Sequence, residues 1–468
     1  MTKNPKFLTL IARLDESELT GFDKYLCWEY PKEVNALKVF RYYKRFFPGK
    51  EHPEKMALPY AFRKIYGVEM GPQMRDPKKL WNTFHKLYGW LKEFLVLEKL
   101  KRDQFTSDVL WMEILLEKGL NSEHSKQAIV AYQTNYNEYY GLKSCLQQIE
   151  LGIHYRQQLV QGRPVPDYKS IEPCISKIYE NADLISLKMR CELLTIKGLR
   201  PSSTLEHHAH ETLPPLHLIY RHIHLMLTTG ATEHYYEIEK LLQVHSDHIS
   251  PNSTNDILRY LQNHAANMIR VDDEKVWSQK LHPLNKALLI KEVYSPQKEM
   301  SSSHFLNIVS VACMANDLDW VNSFMEEYAQ YLPKKTREEN KFVAQTSIAF
   351  ARKDFHEVLR LCEKALYRDV IQLLRIKIFQ LRAMYELGLD FSDALHAYNV
   401  HLLRRRNPVT PYKESAIAFM HILNMLIQKK VAKTTLIKTL ESYKQIFVRN
   451  WLKEKIDAYQ SVIYRSDK

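Results

Sequence analysis

The sequence predicts an all-α protein, in which an N-terminal helical domain is followed by an α-solenoid of helical hairpins. Three observations lead to this prediction. The 468 residues include only 12 glycines, well below the usual share of about 7%. Apolar residues recur at intervals of three and four through most of the chain, which is the periodicity of amphipathic helices. No stretch combines two-residue alternation with β-branched enrichment, so we expect no sheet of consequence.

The same composition excludes several classes of function. Phosphate-binding loops need glycine where the backbone takes positive φ or approaches a ligand closely, and the sequence has no Walker, dinucleotide or nucleophile-elbow fingerprint. The six cysteines are scattered without a Cys-x-x-Cys pair, which predicts neither a disulfide framework nor a thiolate metal site and favours the cytoplasm. We expect no signal peptide and no membrane span, because every apolar run is too short.

The first segment, residues 1–102, is predicted to be a basic N-terminal helical domain. Apolar spacing typical of a helix begins at Phe7. Asp15 and Glu18 have the spacing of a capping box, in which two side chains bind the free N–H groups at a helix start, so a second helix is expected there. Further amphipathic helices are expected over residues 34–47, 56–66 and 77–100.

Residues 103–302 are predicted to form helical hairpins without a clear repeat signature. One long helical segment is expected from Glu123 to Val160. Later breaks are expected at 162–166, 201–204, 250–256 and 295–303, where proline, serine and asparagine cluster. The spacing of the breaks, roughly 40 to 50 residues, suits two helices and two turns.

A repeat is predicted over residues 303–406. Trp320, Phe355 and Phe391 are 35 and 36 residues apart, and each follows an aspartate and begins an amphipathic stretch. Preceding helices are expected over 342–351 and 373–387. A helix, a turn and a second helix repeating every 34 or so residues is the tetratricopeptide architecture. The structural repeat positions are Trp320, Phe324, Phe355, Leu359, Cys362, Ala365, Phe391, Ala394, Leu395 and Tyr398. Residues 407–468 are expected to form C-terminal capping helices.

Residues Phe350 to Leu366 resemble a tetratricopeptide second helix, although Lys353 stands in the turn where such repeats usually carry glycine. More broadly, the chain resembles a family of all-helical bacterial proteins with degenerate tetratricopeptide-like repeats. The broader resemblance rests on the Asp-Trp/Phe units, on 402–406, on 450–455, and on the opening pattern Ile11, Leu14, Glu18, Leu19, Phe22, Tyr25 and Leu26. This resemblance covers nearly the whole chain and implies an all-helical fold. It implies no activity, cofactor or binding residue.

Positive charge is concentrated at both ends of the chain. The net charge of +13 divides into +9 over residues 1–102, −5 over 103–400 and +9 over 401–468. Basic ends can attract nucleic acid or another polyanion. In the first segment, however, the basic residues alternate with aromatic residues at core spacing, which favours the interpretation that the basic side chains lie on solvated helix faces. The run Arg404, Arg405 and Arg406 can contact an anion bidentately, but cations near a helix C-terminus are the favoured interpretation.

Histidines are concentrated in the middle of the chain. Ten of the 20 lie between His207 and His264, including the segments 206–211 and 222–224. Imidazoles on adjacent helical turns can bind zinc or nickel. No His-Glu-x-x-His motif occurs, and the neighbouring Pro-Ser-Ser-Thr break favours a polar loop and a helix start instead.

Tyrosines are the most abundant aromatics, with 28 in the chain. The pairs Tyr42–Tyr43 and Tyr139–Tyr140 lie in stretches with helical spacing. We interpret them as the edges of helical cores rather than as platforms for stacking bases.

The function predicted from these features is a noncatalytic scaffold for protein–protein interaction in the cytoplasm. We expect a protein partner, no membrane association, and neither catalytic residues, a cofactor nor a metal. Two alternatives belong to other classes: binding of nucleic acid or another polyanion through the basic ends, and metal-dependent catalysis by the His-rich middle.

Overall fold

The computed structural model describes residues 5–47, 52–68, 75–134, 136, 139–160, 168–196, 213–269, 272–292, 294, 299–364, 370–404, 410–443 and 446–459. Its α-helices are α1 (Lys6–Ile11), α2 (Glu16–Glu29), α3 (Val34–Lys44), α4 (Pro53–Met56), α5 (Leu58–Tyr66), α6 (Arg75–Arg102), α7 (Gln104–Glu117), α8 (Asn121–Gln133), α9 (Leu142–Val160), α10 (Tyr168–Thr195), α11 (Pro215–Thr229), α12 (Thr232–His245), α13 (Pro251–Met268), α14 (Glu274–Lys291), α15 (Ser302–Met314), α16 (Leu318–Tyr328), α17 (Arg337–Ala351), α18 (Phe355–Lys364), α19 (Val370–Glu386), α20 (Ser392–Arg404), α21 (Thr410–Gln428), α22 (Lys433–Ser442) and α23 (Arg449–Asp457). The described residues contain no β-strand, and their only β-type pairing is an isolated bridge between Tyr140 and Ile249. The all-α prediction is confirmed.

The chain divides into two compact units. Unit 1 comprises residues 1–138 and 143–183, and unit 2 comprises residues 139–142 and 184–468. This division is based on spatial contacts between residues and does not test sequence repeats. The four segments predicted from composition and spacing therefore remain a prediction.

Unit 1 has an aromatic core built by α1, α2, α3, α5 and α6. Phe22 is fully buried and packs against Phe40 and Phe94, with ring centroids 5.0 and 5.6 Å apart. The predicted capping box is confirmed at the start of α2. Asp15 Oδ1 accepts a hydrogen bond from the Glu18 N–H at 2.8 Å, and Glu18 Oε2 accepts one from the Asp15 N–H at 3.1 Å.

The two tyrosine pairs have different environments. Tyr42 and Tyr43 are buried in the unit 1 core, as predicted, and their hydroxyls donate to the carbonyls of Lys55 and Met56. Tyr139 instead is 37% exposed and Tyr140 is partly buried, and the assignment of this pair to a core edge stays a prediction.

The single long helix expected from 123 to 160 is also wrong, because the structure has α8 and α9 there. The chain leaves the helical path at Tyr140, whose backbone pairs with residues distant in sequence. Its N–H donates to the His248 carbonyl at 2.8 Å, and its carbonyl accepts from the Ser250 N–H at 2.9 Å. These long-range bonds replace the intrahelical bonds that Tyr140 would make in a continuous helix.

The break expected at 250–256 is wrong as well. Only Ser250 lies outside a helix, and its Oγ accepts a hydrogen bond from the Ser253 N–H at 3.2 Å as the N-cap of α13. Pro251 occupies the first helical position, where its missing N–H has no cost. Of the break expected at 295–303, residues 299–301 lie outside any helix as predicted, 302 and 303 begin α15, and 295–298 are outside the described residues. The expected breaks at 162–166 and 201–204 also lie outside the described residues.

Successive helices in the second half of unit 2 pack against one another. The hairpins are α15–α16, α17–α18, α19–α20 and α21–α22, and the first helices pack in series, α15 on α17, α17 on α19 and α19 on α21. The expected helices over 342–351 and 373–387 are confirmed within α17 and α19. Left-handed residues mark the hairpin turns, with φ values of 61° at Asn316, 61° at Lys353 and 66° at Gly388.

Most of the structural repeat positions contribute to the cores of these hairpins. Phe324, Phe391 and Tyr398 are buried. The partly buried positions that pack against a core are Trp320, Phe355, Leu359, Cys362, Ala394 and Leu395. Ala365 lies outside the described residues.

Candidate functional site

Unit 2 contains an open cavity of about 1160 Å³. The first helices of successive hairpins, α15, α17 and α19, form one wall, and the starts of α14 and α18 together with α22 and α23 complete it. Its lining combines aromatic side chains with charged groups of both signs. We call this space the unit 2 cavity.

Arg382 is the distinctive residue of the cavity lining. It lies on α19, and its guanidinium carbon is 3.9 Å from the centroid of the Phe350 ring and 5.2 Å from that of Trp451. Its Nε is buried and has no hydrogen-bond partner among the described residues. Burial lowers the pKa of Arg382 to about 10, despite the attraction of Glu274, Glu386 and Glu454. The guanidinium therefore carries a charge that its surroundings solvate poorly.

Glu386, one helical turn after Arg382, joins α19 to α23. It accepts a hydrogen bond from Trp451 Nε1 at 2.6 Å and pairs with Lys455 Nζ at 2.8 Å. Lys455 also pairs with Glu454 at 2.9 Å. Burial opposes the charge of Lys455, but these hydrogen bonds outweigh it and raise the lysine pKa. Glu386 and Glu454 are thus already engaged by partners other than Arg382.

Glu274 lines the cavity from the first turn of α14. Burial raises the pKa of its carboxyl group, against the attraction of Arg382 and a hydrogen bond from Asn450. Asp273 caps this helix by accepting from the backbone N–H of Lys275 at 2.9 Å. The N-cap thereby fixes the position at which Glu274 enters the cavity wall.

A cysteine also lines the cavity, but it has the properties of a packing residue. Burial raises the pKa of Cys313 to about 12, and burial has the same effect on Cys362 of α18. Because the thiolate is the nucleophilic form, these thiols are poor nucleophiles near neutral pH.

Unit 1 has a smaller cavity of about 580 Å³ between α2 and the last turns of α6. Trp28 on its rim is 83% exposed. Among the atoms that the structure describes in this lining, no buried polar side-chain atom lacks a partner. In this respect it differs from the unit 2 cavity.

The histidines do not form a metal centre in the part of the chain that the structure describes. His222 and His234 lie with their Nδ1 atoms 3.1 Å apart, and burial together with the His234 charge lowers the pKa of His222. No group of three or more described His, Cys, Asp or Glu residues could hold a metal ion. The segment 206–211 lies outside the described residues.

Sequence patterns alone do not mark Arg382, Phe350 or Trp451 as site residues. One signal was present, because Arg382 follows Ile378 by four residues and Phe379 by three, which places a charge beside the apolar stripe of α19. Arg404, the basic residue that the sequence did single out, ends α20, and Arg405 and Arg406 lie outside the described residues.

Comparison with protein-family models, curated proteins and solved structures finds no match to this chain. The family resemblance that the sequence suggests therefore stays a prediction. Among the described helices, none is long and apolar enough to cross a bilayer.

Proposed function

We propose that the protein is a noncatalytic scaffold of the helical-repeat type, with tetratricopeptide-like hairpins, and that it binds a partner protein in the unit 2 cavity. The observation that carries this proposal is the construction of the cavity from the first helices of successive hairpins, α15, α17 and α19. Stacked hairpins of this kind create extended binding surfaces.

The size and lining of the cavity support a peptide segment as the bound group. Its volume of about 1160 Å³ lies above the range of about 300 to 1,000 Å³ that is usual for small-molecule pockets. Aromatic side chains and arginine, which line this cavity, are the residue types most often decisive in protein–protein contacts. The six cysteines are free thiols, which supports the further proposal that the protein works in the cytoplasm.

The test is crosslinked native affinity purification with mass spectrometry, using a matched pair of variants. Lys275→Trp places a bulky ring in the cavity lining, and Lys240→Trp makes the same change on α12, where Lys240 is paired with Glu237 on the surface. We expect one partner protein with the wild type and with K240W, and a reduced yield with K275W.

Two results would count against the scaffold. Recovery of chaperones and ribosomal background alone would mean that the proposed scaffold has no specific partner. An equal yield from both variants would mean that the partner does not bind in the unit 2 cavity. An eluate that is lost after nuclease treatment would favour the polyanion alternative instead.

A further inference from the structure

We propose that Arg382 binds a carboxylate of a peptide segment in the unit 2 cavity, either an acidic side chain or a chain terminus. This inference rests on the proposed scaffold function and adds to it the chemistry of the ligand. It is carried by a guanidinium that packs against the rings of Phe350 and Trp451 and whose buried Nε has no hydrogen-bond partner among the described residues.

The geometry prepares the guanidinium for a ligand. Stacking on Phe350 at 3.9 Å, with Trp451 at 5.2 Å, holds the guanidinium plane against aromatic rings. Nε has no hydrogen-bond partner in the described part of the chain, and Arg382 lines the cavity. A guanidinium offers donors in a fork that matches a carboxylate. A ligand carboxylate in the cavity would therefore be a hydrogen-bond partner for the guanidinium of a kind that the described residues do not provide to its Nε.

The nearby glutamates do not take this role, because other groups hold them. Glu386 receives hydrogen bonds from Trp451 and Lys455, and Glu454 pairs with the same lysine. Glu274 is engaged by Asn450, and burial favours its neutral form. They attract Arg382, which lines the cavity.

Charge in the lining favours a single carboxylate over phosphate or nucleic acid. Seven acidic and six basic residues line the cavity. A phosphate monoester would bring close to two negative charges toward Glu274, Glu386 and Glu454, and like charges repel strongly where water is scarce. One carboxylate adds a single charge and balances Arg382.

The aromatic side chains of the cavity indicate which type of residue adjoins the carboxylate in the bound peptide. Phe350, Phe355, Phe379 and Trp451 all line the cavity. A free inorganic anion would leave these apolar surfaces in water, whereas a peptide can cover them with an adjoining apolar residue. We therefore expect an acidic group beside an apolar side chain.

The test uses saturation-transfer NMR on the purified full-length protein with defined probes. The probes are an N-acetylated, C-amidated Ala-Phe-Asp-Ala peptide, the N-acetylated Ala-Phe-Ala-Ala peptide with a free C-terminus, the amidated form of the second peptide, and inorganic phosphate. We expect the two peptides that carry a carboxylate to bind in an Arg382-dependent way. The amidated control should bind at least about tenfold more weakly, as should phosphate, since loss of a charged hydrogen bond costs on this order.

The variants separate a ligand contact from a structural role. Arg382→Met keeps a long side chain against Phe350 and removes the charge. The matched control Arg360→Met makes the same change at an exposed residue of α18 that is paired with Glu357 and lies outside the cavity lining. We expect R382M to lose peptide binding by about tenfold or more while its melting temperature is unchanged or higher, and R360M to bind as the wild type does. Arg382→Lys keeps the charge without the fork and should retain only part of the affinity.

Each outcome decides the inference. Equal binding by R382M and wild type, tighter binding of phosphate than of the peptides, or a strongly lowered melting temperature of R382M with unchanged peptide affinity would overturn it. Failure of the peptides with continued, K275W-sensitive capture of a partner would refute the carboxylate contact and leave the scaffold standing. Arg382-dependent peptide binding without any captured partner would support the contact and refute the scaffold.

Discussion

At the scale of single residues, the turns that join the two helices of a hairpin contain backbone strain that glycine would relieve. Lys353 has φ of 61°, in the left-handed region where a side chain costs roughly 1 kcal/mol or more. We expect Lys353→Gly to raise the melting temperature by a few degrees, because the relief exceeds the added entropy of the unfolded chain. Asn316→Gly should have a smaller effect, since asparagine tolerates this region. Differential scanning fluorimetry measures both.

The matched opposite change is Gly388→Ala. Gly388 has φ of 66° and open space around its Cα, so only backbone strain opposes the methyl group. We expect a loss of roughly 1 kcal/mol. A neutral effect of G388A together with destabilisation by K353G would contradict this account of the turns.

His264 gives a second prediction for a single residue, and it concerns pH. Its imidazole is buried between Tyr235 and Trp277, at centroid distances of 5.7 and 5.6 Å, and burial lowers its pKa. As the pH falls through about 6.5, the His264 imidazole therefore binds a proton more readily in the unfolded chain than in the folded protein. The stability contributed by the neutral ring is complete above that pH and falls as the solution becomes more acidic.

The variant His264→Phe keeps a ring in the same place and removes this titration. We expect its melting temperature to fall less than that of the wild type between pH 7.5 and pH 5.5, with a difference in free energy of at most about 1.4 kcal/mol per pH unit. Thermal melts over this range measure the difference. Parallel curves for the two proteins would show that His264 is not responsible.

At the scale of elements, the Glu386 carboxylate links α19 to α23 through a hydrogen bond and an ion pair. Glu386 binds both Trp451 and Lys455 of α23, and Glu386 and Lys455 are only 20% and 15% exposed in their side chains. The variant Glu386→Gln would leave Lys455 with Glu454 alone. We expect faster hydrogen–deuterium exchange in α23, because a partly buried pair with one member removed is destabilising.

The control for this prediction is Glu338→Gln, which breaks an exposed pair with Lys341 on α17. Surface pairs of this type contribute about 0 to 1 kcal/mol, so exchange in E338Q should match the wild type. Equal protection of α23 in E386Q and the wild type would mean that its apolar contacts suffice.

Local signals predicted most of the individual helices, and they failed where distant residues compete for the backbone. The capping box at Asp15 and the helices around Lys353 follow from side chains within a few positions. The interruption at Tyr140 depends on hydrogen bonds to His248 and Ser250, which no local pattern encodes. The Arg382 site is not predictable from local sequence for the same reason, because Arg382 is distinguished by its contacts with Phe350 and Trp451 on other helices.

At the scale of the whole molecule, composition and periodicity were sufficient for the all-α class. They did not predict the division into unit 1 and unit 2, because that division depends on which apolar faces meet. Residues 139–142, for example, belong to unit 2 although the chain on both sides belongs to unit 1. The bridge from Tyr140 to Ile249 is a contact that spacing alone cannot indicate.

Separate cores predict separable unfolding of the two units. Phe22 is fully buried in the unit 1 core, and Phe324 is 2% exposed in a core of unit 2, where it stacks on Phe305 at 5.1 Å. Phe22→Ala and Phe324→Ala should each cost about 3 to 5 kcal/mol. In scanning calorimetry we expect each variant to lower a different transition. A single transition lowered equally by both would mean that the cores unfold as one cooperative unit, since coupled units lose stability together.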